Sequence, residues 1–335
     1  MRIITPNGPE EFQAVWMEGA KVVMIDQRLL PHQFKVIDLV SVEEVADSIR
    51  NMTVRGAPAI GVTAAYGMAL ASLTHRDLKA SAKVLRSTRP TAHDLFFAVD
   101  FMAERLEKGE DPVPAAERYA SSIVDKCRMI GEHGAGLIKD GDRIMTHCNA
   151  GALATVDYGT ALAPMRVAHR AGKRIFVYVS ETRPRLQGMK LTAYELLNEG
   201  IPHAIIVDGA SGHFMRSGVD LVIVGADRVT LNGDFANKIG TFEKAVLAKE
   251  LGVPFYVAAP ISTFDFAAES GKDIVIEDRG EEEVTVMDGL RIAPVGCRAM
   301  NPSFDMTPHR YVKGFITEIG VLSPEDIIKV KGARI

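Results

Sequence analysis

The spacing of apolar residues divides the chain into two parts with different periods. Up to about residue 139, most apolar positions recur every three or four residues, which is the period of an α-helix. From about residue 140, short apolar runs alternate with helical stretches. The change of period predicts a domain boundary near residue 140, with one domain at 1–139 and another at 140–335.

The first domain is predicted to be a small antiparallel sheet followed mainly by helices. Two apolar runs, Val22–Ile25 and Phe34–Ile37, flank Pro31 and indicate paired strands. Four helical signals follow: a capping box at 41–44, a charge-free stretch at 56–75, a stripe after Thr91, and a stripe from about Pro114 to Leu137. The charge-free stretch is long enough to span a membrane, but its many small residues favour a buried helix.

The second domain alternates strands and helices. Strands are predicted at Arg143–His147, Arg174–Val179, His203–Val207, Leu221–Gly225 and Pro254–Ala258. Helices are predicted at Ala152–Ala171, Leu191–Glu199, Ala210–Ser217 and Thr241–Leu251, with Gly172, Gly200, Gly218 and Gly252 where they should end. The pattern predicts an α/β fold, with a Rossmann-like doubly wound parallel sheet at the C-terminus and a smaller, mainly helical N-terminal domain. Such sheets bind ligands at the carboxyl ends of their strands.

Composition excludes several classes of protein. The 335 residues carry 39 basic and 43 acidic side chains, so a net charge of −4 leaves no global basic field for nucleic acid or membrane. Three widely spaced cysteines favour a reducing, cytoplasmic compartment over a disulfide framework. Glu10 and Glu11 precede any apolar run, which argues against a signal peptide. Phosphate-loop, dinucleotide and His-Glu-x-x-His zinc patterns are absent, so neither NAD nor a metal is predicted.

Three residues at predicted strand ends are candidates for acid–base chemistry. Cys148 follows one strand and precedes a predicted helix, whose N-terminus would favour a thiolate; the alternative is a small buried side chain. Asp227 follows the run 219–226, where partial burial would raise its pKa and make it a proton donor, unless it only caps a turn. Asp208 occupies a similar position, and spacing alone does not choose between the two aspartates. Cys127 lies on an apolar helical stripe and is predicted to be structural.

Cations precede three predicted helix starts, a pattern that suits a phosphorylated small molecule. Arg55 precedes Gly56, Ala57 and Pro58, Arg89 precedes Pro90 and Thr91, and Asn237–Lys238 precede Thr241. Exposed cations are the alternative interpretation of each. The segment 181–188, which contains Gln187, follows a strand and is predicted to line a ligand pocket. The segment 301–308 is an unusual polar and aromatic loop.

Together these segments resemble the methylthioribose-1-phosphate isomerases, whose superfamily includes the regulatory subunits of translation initiation factor 2B. The matching stretches are Arg55–Gly61, Arg89–Ala92, Thr146–Gly151, Glu181–Gly188, Gly225–Arg228, Asn232–Gly240 and Asn301–Pro308, in family order. The resemblance implies a homodimer in which Cys148 and Asp227 are the catalytic pair, in preference to Asp208. It also implies that Arg55, Gly56, Ala57, Arg89, Gln187, Asn237 and Lys238 contact the substrate or its phosphate.

The implied reaction converts a 5-substituted ribofuranose 1-phosphate into the ribulose 1-phosphate, as in methionine salvage, without a metal or cofactor. Cys148 would act as a base through an enolate, or would shape the charge around a direct hydride transfer. His93 and Asp94 depart from the family pattern, as do Cys297, Met300 and the short interval between Arg55 and Arg89. The 5-substituent therefore stays open: methylthio leads, and 5-deoxyribose 1-phosphate and ribose 1,5-bisphosphate are alternatives. A non-enzymatic regulatory subunit would need neither Cys148 nor Asp227.

Overall fold

The computed structural model describes residues 1–89 and 93–331. Its N-terminal part contains β1 (Arg2–Thr5), β2 (Gly8–Glu11), β3 (Val15–Glu18), β4 (Lys21–Ile25), β5 (Val36–Leu39), α1 (Val42–Arg50), α2 (Ala57–Leu73), α3 (Leu78–Arg86), α4 (His93–Glu107) and α5 (Pro112–Ala135). Strands β1 and β2 form a hairpin, and β3, β4 and β5 form an antiparallel sheet. The prediction of a small sheet is confirmed, although β1 to β3 and α3 were not predicted and β5 begins later than expected. The helix start predicted at Thr91 lies outside the described residues.

Helices α1 and α2 form where the sequence predicts them. The Ser41 side chain caps α1 by accepting a hydrogen bond from the Glu44 amide, and Val42, Val45 and Ile49 of its apolar stripe are buried. Helix α2 carries no charge because it is buried on nearly every face, in a core shared with α4 and α5. No helix within the described ranges is both long and apolar enough to cross a membrane.

The C-terminal part contains the remaining elements. They are β6 (Arg143–His147), α6 (Leu162–Arg170), β7 (Phe176–Ser180), α7 (Ala193–Glu199), β8 (His203–Ile206), α8 (Ser211–Arg216), β9 (Leu221–Val224), β10 (Arg228–Thr230), β11 (Phe235–Lys238), α9 (Thr241–Glu250), β12 (Phe255–Ala258), β13 (Phe264–Asp265), α10 (Glu282–Thr285), β14 (Val286–Met287), β15 (Leu290–Arg291), β16 (Phe304–Thr307), β17 (Gly314–Thr317) and β18 (Gly320–Leu322). Gly172, Gly200, Gly218 and Gly252 all have positive φ just after helices, as predicted.

The predicted parallel sheet is confirmed. Seven strands lie in the order β18-β17-β12-β9-β6-β7-β8, and every neighbouring pair is parallel except β17 with β18. The chain runs outward from β6 through β7 to β8, and then returns to place β9 on the other side of β6. The strand order therefore reverses between β6 and β9, which is the position where doubly wound sheets open a ligand crevice.

A second, four-stranded sheet lies in the order β13-β10-β11-β16. Strand β10 begins directly after Asp227, and β11 ends in Asn237 and Lys238. In the antiparallel pair of β11 and β16, Lys238 is opposite Phe304 and Asn237 is opposite Asp305. The smaller sheet therefore joins three segments that the sequence analysis singled out separately.

Two predicted helices differ from expectation at their starts. The stretch predicted as a helix over Ala152–Ala171 contains one 3₁₀ turn, Ala152–Ala154, and α6 then begins at Leu162. Between them Val156 and Tyr158 have φ angles of 117° and 61°, which an α-helix does not accept. The helix predicted from Leu191 begins instead as a π-helical turn at Gly188–Thr192, and α7 follows it.

Candidate active site

A cavity of about 370 Å³ lies at the crevice between β6 and β9. That volume is within the range that binds small ligands. The nine residues that the sequence analysis assigned to the site all line it: Arg55, Gly56, Ala57, Arg89, Cys148, Gln187, Asp227, Asn237 and Lys238. They come from the strand ends of two sheets, from the start of α2, from the loop after β7 and from the residues that follow α3. The tertiary structure thus brings together residues that are far apart in the sequence.

Cys148 directly follows β6 and lines the cavity in a half-buried position. Its φ of 63° is left-handed. Two threonines hold this backbone: the Cys148 amide donates to Oγ1 of Thr182 at 2.9 Å, and its carbonyl accepts from Oγ1 of Thr192 at 2.6 Å. The prediction that Cys148 precedes an α-helix is wrong, because only a 3₁₀ turn follows before α6. The argument from a helix dipole therefore does not apply to this thiol.

Asp227 follows the neighbouring strand, β9, after two small residues. Its amide donates to the carbonyl of Ala236 at 2.9 Å, which ties it to the second sheet. Burial raises the pKa of Asp227, although the charges of Lys238, Arg89, Arg55 and Arg279 act in the opposite direction. A carboxyl group with this balance keeps its proton to a higher pH than an exposed aspartic acid, as a proton donor requires.

Asp208, the alternative aspartate, has a structural environment instead. Its carboxylate accepts hydrogen bonds from the Ser180 hydroxyl and from the amides of Thr182 and Arg183, the last at 2.7 Å. Burial opposes its ionisation, but these hydrogen bonds outweigh it and hold the pKa of Asp208 below the usual value. Asp208 therefore anchors the start of the 181–188 loop as a carboxylate, which disfavours it as an acid.

Arg55 is held at the mouth of α2 by the loop that follows Cys148. Its guanidinium donates to Oδ1 of Asn149 at 2.8 Å and to the Asn149 carbonyl. The Asn149 amide in turn donates to Oε1 of Glu195 at 2.9 Å, and Glu195 is buried and paired with Arg166 at 3.1 Å. These partners fix Arg55 without neutralising its charge, since Asn149 is neutral. Arg55 is thus available for an anion.

Gly56 has to be glycine for two reasons. Its φ is +93°, and a Cβ atom there would lie 2.4 Å from the carbonyl oxygen of Ala154. The close approach brings the first turn of α2 against the loop after β6. Free backbone amides at a helix start attract anions, so this contact puts α2's N-terminus beside the strand ends.

Lys238 is buried and faces the same cavity. Its ammonium donates to the Ser303 carbonyl at 2.8 Å and lies 4.3 Å from the centre of the Phe304 ring. Burial lowers the pKa of Lys238 to about 8, although the nearby Cys148 acts in the opposite direction. The neighbouring Asn237 is buried and donates to Oγ1 of Thr241 at 2.9 Å. The side chain of Lys238 is therefore cationic near neutral pH.

Gln187 supplies a polar atom that the protein leaves unused. Its Oε1 is buried and accepts no hydrogen bond from any described residue. A second chamber of about 140 Å³ shares Met52, Arg55 and Gln187 with the main cavity. A buried acceptor without a donor is costly, so a ligand hydroxyl or a water molecule suits this position.

Sequence reasoning assigned no role in the site to four titratable residues of the cavity, although His93 was noted as a departure from the family pattern and His147 lies in a matching stretch. His147 and His93 line the cavity, as do Glu277 and Arg279 from the long segment between β13 and β16. Burial lowers the pKa of His147 to about 3, so the ring is neutral, whereas the Asp94 carboxylate, 3.8 Å from Nδ1, raises the pKa of His93. Their neighbours along the chain show no periodic pattern, so no sequence signal marked Glu277 or Arg279.

Metal binding has no support within residues 1–89 and 93–331. They contain no group of three or more His, Cys, Asp or Glu side chains arranged to hold an ion. The cavity instead combines a thiol, a carboxyl group and several cations. This arrangement suits proton transfer on an anionic substrate.

Comparison with known proteins identifies the family of the chain. The model of the initiation factor 2 subunit family matches residues 53–324. A methylthioribose-1-phosphate isomerase from Acetivibrio thermocellus is 49% identical over 320 residues, covering 90% of this chain and 94% of that protein. A putative methylthioribose-1-phosphate isomerase from Methanocaldococcus jannaschii is 48% identical, covering 94% and 97%.

Two solved structures are similar over nearly the whole chain. One is the 5-methylthioribose 1-phosphate isomerase of Pyrococcus horikoshii, with a TM-score of 0.89 and 42% identity, covering 96% of this chain and 97% of that one. The other is described as subunit delta of translation initiation factor eIF-2B from A. fulgidus, with a TM-score of 0.87 and 42% identity, covering 95% and 100%. The same fold therefore occurs in a protein named as an isomerase and in one named as an initiation-factor subunit.

Proposed function

The chain belongs to the initiation factor 2 subunit family, and we propose that it is an aldose–ketose isomerase of 5-methylthioribose 1-phosphate. The observation that carries the proposal is the pair of Cys148 and Asp227 at neighbouring strand ends, inside a cavity lined with cations. Relatives at 48–49% identity over most of the chain bear this enzyme's name. The product is 5-methylthioribulose 1-phosphate, which is expected as an intermediate of methionine salvage.

The chemistry begins with ring opening. The phosphate on C1 prevents the sugar from forming a free aldehyde, so the bond between C1 and the ring oxygen has to break with the phosphate in place. Protonated Asp227 donates its proton to that oxygen as the bond breaks. Its raised pKa supports this role, because an ionised carboxylate has no proton to give.

Hydrogen then moves from C2 to C1, and two routes balance. In the first, Cys148 as a thiolate removes the C2 proton, and the C2 hydroxyl gives its proton to the Asp227 carboxylate to form an enolate. The Cys148 thiol, which exchanges its hydrogen with solvent, then protonates C1 and leaves the ketone. In the second, hydride passes directly from C2 to C1, and the C2 hydroxyl loses its proton to the Asp227 carboxylate as the ketone forms. Both routes need a site that excludes water. They differ in whether solvent hydrogen reaches C1.

Binding of the phosphate is assigned to the remaining predicted site residues. Arg55, Arg89 and Lys238 bring positive charge, and the backbone of Gly56 and Ala57 adds amides at the start of α2. Gln187 and Asn237 provide neutral polar groups. Arginine and an ammonium group together suit a phosphate dianion because they satisfy several of its oxygens at once.

The 5-substituent and a non-enzymatic role are the open alternatives. His93, which departs from the family pattern, lines the cavity, so a sugar with a different 5-group is compatible with the site, and 5-deoxyribose 1-phosphate is a second candidate substrate. Ribose 1,5-bisphosphate is a third. The name of the A. fulgidus chain supports a regulatory subunit, which would bind a ligand without turning it over.

Three further properties follow from the resemblance and the composition. We propose a homodimer, a cytoplasmic location and domains at 1–139 and 140–335. The odd cysteine number supports the location. Light scattering of the purified protein tests the dimer, since a monomeric mass would contradict it.

The experiment is to incubate the protein separately with the three sugar phosphates and to measure ketose formation. We expect 5-methylthioribose 1-phosphate to turn over fastest. Cys148→Ser should lose most turnover and keep binding, whereas Cys297→Ser, at an exposed cysteine, should match the parent protein. Ketose formation from none of the three would refute the enzyme proposal. In deuterated water, deuterium at C1 favours the enolate route, and its absence favours hydride transfer.

A further inference from the structure

One cavity cation has no role in the reaction described above. Arg279 comes from the irregular segment between β13 and β16, and its side chain is 10% exposed. Its Nη2 donates to Oε2 of Glu277 at 3.2 Å, and Nη2 of Arg89 lies 3.6 Å from the same oxygen. A single carboxylate therefore lies between two guanidinium groups at the wall of the cavity.

The hydrogen-bonding capacity of Arg279 is only partly used. Its Nε is buried and has no partner among the described residues, although an unpaired buried donor is costly. Its guanidinium lies 5.5 Å from the centre of the Phe304 ring, which Lys238 also faces. A planar guanidinium with a free hydrogen-bond donor, close to Lys238 and Arg89, is well suited to bind the oxygens of a phosphate group.

The local charge balance also favours an additional anion. The cations Arg89, Lys238 and Arg279 share this wall with the carboxyl groups of Glu277 and Asp227. Burial and the nearby Arg279 lower the pKa of both Arg89 and Lys238, which shows that these cations repel each other. Burial opposes the ionisation of Glu277, yet the hydrogen bond from Arg279 holds the pKa of this carboxyl below its usual range. Glu277 is thus a counter-ion to more positive charge than it can neutralise.

The segment 301–304 holds this arrangement in place without a ligand. The Ser303 amide donates to the Glu277 carbonyl at 2.8 Å, and the Arg279 amide donates to the Asn301 carbonyl at 3.1 Å. The Ser303 carbonyl accepts from Lys238. These backbone hydrogen bonds, the 301–303 ladder, hold Glu277 and Arg279 beside Lys238. The 301–308 segment therefore has a structural role at the cavity wall. A preorganised cation loses little entropy on binding.

We propose that Arg279 is a further phosphate-binding residue, and that Glu277 is a counter-ion which the substrate phosphate displaces from between Arg279 and Arg89. The inference rests on the proposed sugar-phosphate substrate and extends its binding site. A phosphate offers three oxygens and about two negative charges at neutral pH, against the two oxygens and one charge of the carboxylate. Both arginines gain from the exchange, and Glu277 is left to face solvent or a substrate hydroxyl.

The test measures binding of inorganic phosphate by titration calorimetry, without turnover. Arg279→Gln should weaken phosphate binding roughly 10- to 100-fold, the effect of losing a charged hydrogen-bond donor. Glu277→Gln should tighten it roughly several-fold, because the competing charge is gone. The opposite signs separate this role from a structural one, in which both substitutions would disturb the wall and weaken binding.

The matched control is Arg298→Gln, at an arginine of the same segment that is 93% exposed; its phosphate affinity should equal the parent's. If Arg279→Gln lowers the melting temperature, Arg279→Lys keeps the charge and should show an intermediate affinity. Unchanged binding in Arg279→Gln, weaker binding in Glu277→Gln, or no phosphate binding by the parent protein would each overturn the proposal. Because no turnover is needed, failure of the isomerase assay would be distinguishable from failure here.

Discussion

At the scale of single residues, Asp227 shows how a reactive group and a stable fold conflict. Burial raises its pKa, so ionisation of this carboxyl costs more in the folded chain than in the unfolded one. For a group whose folded pKa is raised, the contribution to stability is complete below its unfolded pKa and is lost as the pH rises through the folded value. Asp227 therefore destabilises the folded protein at the pH where the enzyme would work.

Replacing Asp227 by asparagine should lower activity and raise stability. We expect kcat to fall by roughly 10²- to 10⁴-fold, the usual contribution of a general acid. The melting temperature should rise at pH 7, because the neutral amide avoids the cost of ionising a buried carboxyl group, and this gain should disappear as the pH falls to the ordinary aspartate pKa of about 4. Thermal melts at several pH values check the sign. A variant less stable than the parent at pH 7 would contradict this prediction. The control is Asp125→Asn, on the exposed side of α5, which should leave both activity and stability unchanged.

Lys238 should set an alkaline limit on the reaction. Burial lowers its pKa to about 8, and kcat/KM reports the pKa values of groups in the free enzyme. We therefore expect kcat/KM to fall above about pH 8 as the ammonium loses its charge. Lys238→Arg should remove this decline, since arginine stays protonated. Lys249→Met, at an exposed lysine of α9, should keep the parent profile; a decline that persists in Lys238→Arg would assign the limit to another group.

At the scale of elements, the site depends on where neighbouring strands end. The register pairs Met145 of β6 with Val222 of β9, so the residues after both strands emerge at the same level of the sheet. Parallel strands lie about 4.8 Å apart, so Cys148 and Asp227 follow neighbouring strand ends and line the same cavity. The predicted strand ends were accurate to within about a residue. This is why reasoning from strand ends selected the right part of the chain.

The start of α2 depends on a single glycine. Gly56→Ala should lower the free energy of unfolding by about 3 kcal/mol, since it adds both a strained φ and an overlap with the Ala154 backbone. It should also raise KM for the sugar phosphate, because the helix start moves away from the strand ends. Chemical denaturation and steady-state kinetics measure the two effects. Gly209→Ala, where a Cβ would meet no atom within 4 Å, should change neither; similar values for the two variants would refute this account.

The errors in the predicted elements also have identifiable causes. The 152–171 stretch has a helical composition, yet its start is bonded to buried Glu195 by the amides of Ala152 and Leu153, and the Tyr158 carbonyl then accepts from the buried Arg166 side chain instead of from a helical amide. Glu195 lies more than 40 residues away from the Ala152 and Leu153 amides in the sequence. A local pattern cannot include such a distant partner, so propensity was overridden by tertiary contacts.

At the scale of the whole molecule, α5 links the two predicted domains. Its residues from Ala115 to Cys127 pack in the helical core, whereas Ile130 and Ala135 belong to the core beside the parallel sheet. Gly131 and Gly134 allow α5 and α6 to pack closely, because a Cβ at either would lie within 3 Å of an α6 side chain. The proposed boundary near residue 140 thus follows an element that contributes to both cores.

A fragment of residues 1–139 should therefore fail to fold cooperatively. Without α6 and β17, the last turns of α5 expose apolar surface that the full chain buries. We expect a broad thermal transition and aggregation, monitored by circular dichroism and light scattering, against a sharp transition of the full chain. A monomeric fragment with a sharp transition would show that the N-terminal domain is independent of the sheet.

The sequence by itself determined the fold class, five of the seven strands of the large sheet and the chemistry-bearing segments; β17, β18 and the second sheet were not predicted. These properties are local, because hydrophobic periodicity, glycines at helix ends and residues at strand ends can each be recognised from a few neighbouring positions. The choice of Asp227 over Asp208 as the candidate acid needed either the family resemblance or the structure, because both aspartates follow similar strands.

The tertiary structure alone added Arg279 and Glu277 to the cavity and decided the balance of charge among its cations. Arg279 and Glu277 lie in a segment without periodicity, and only hydrogen bonds from the 301–303 ladder bring them to Arg89 and Lys238. Burial sets the pKa directions of Asp227 and Lys238, and burial is a property of the packed chain. Long-range packing and desolvation do not appear in a local pattern, which is why the composition of the site could be predicted and its electrostatics could not.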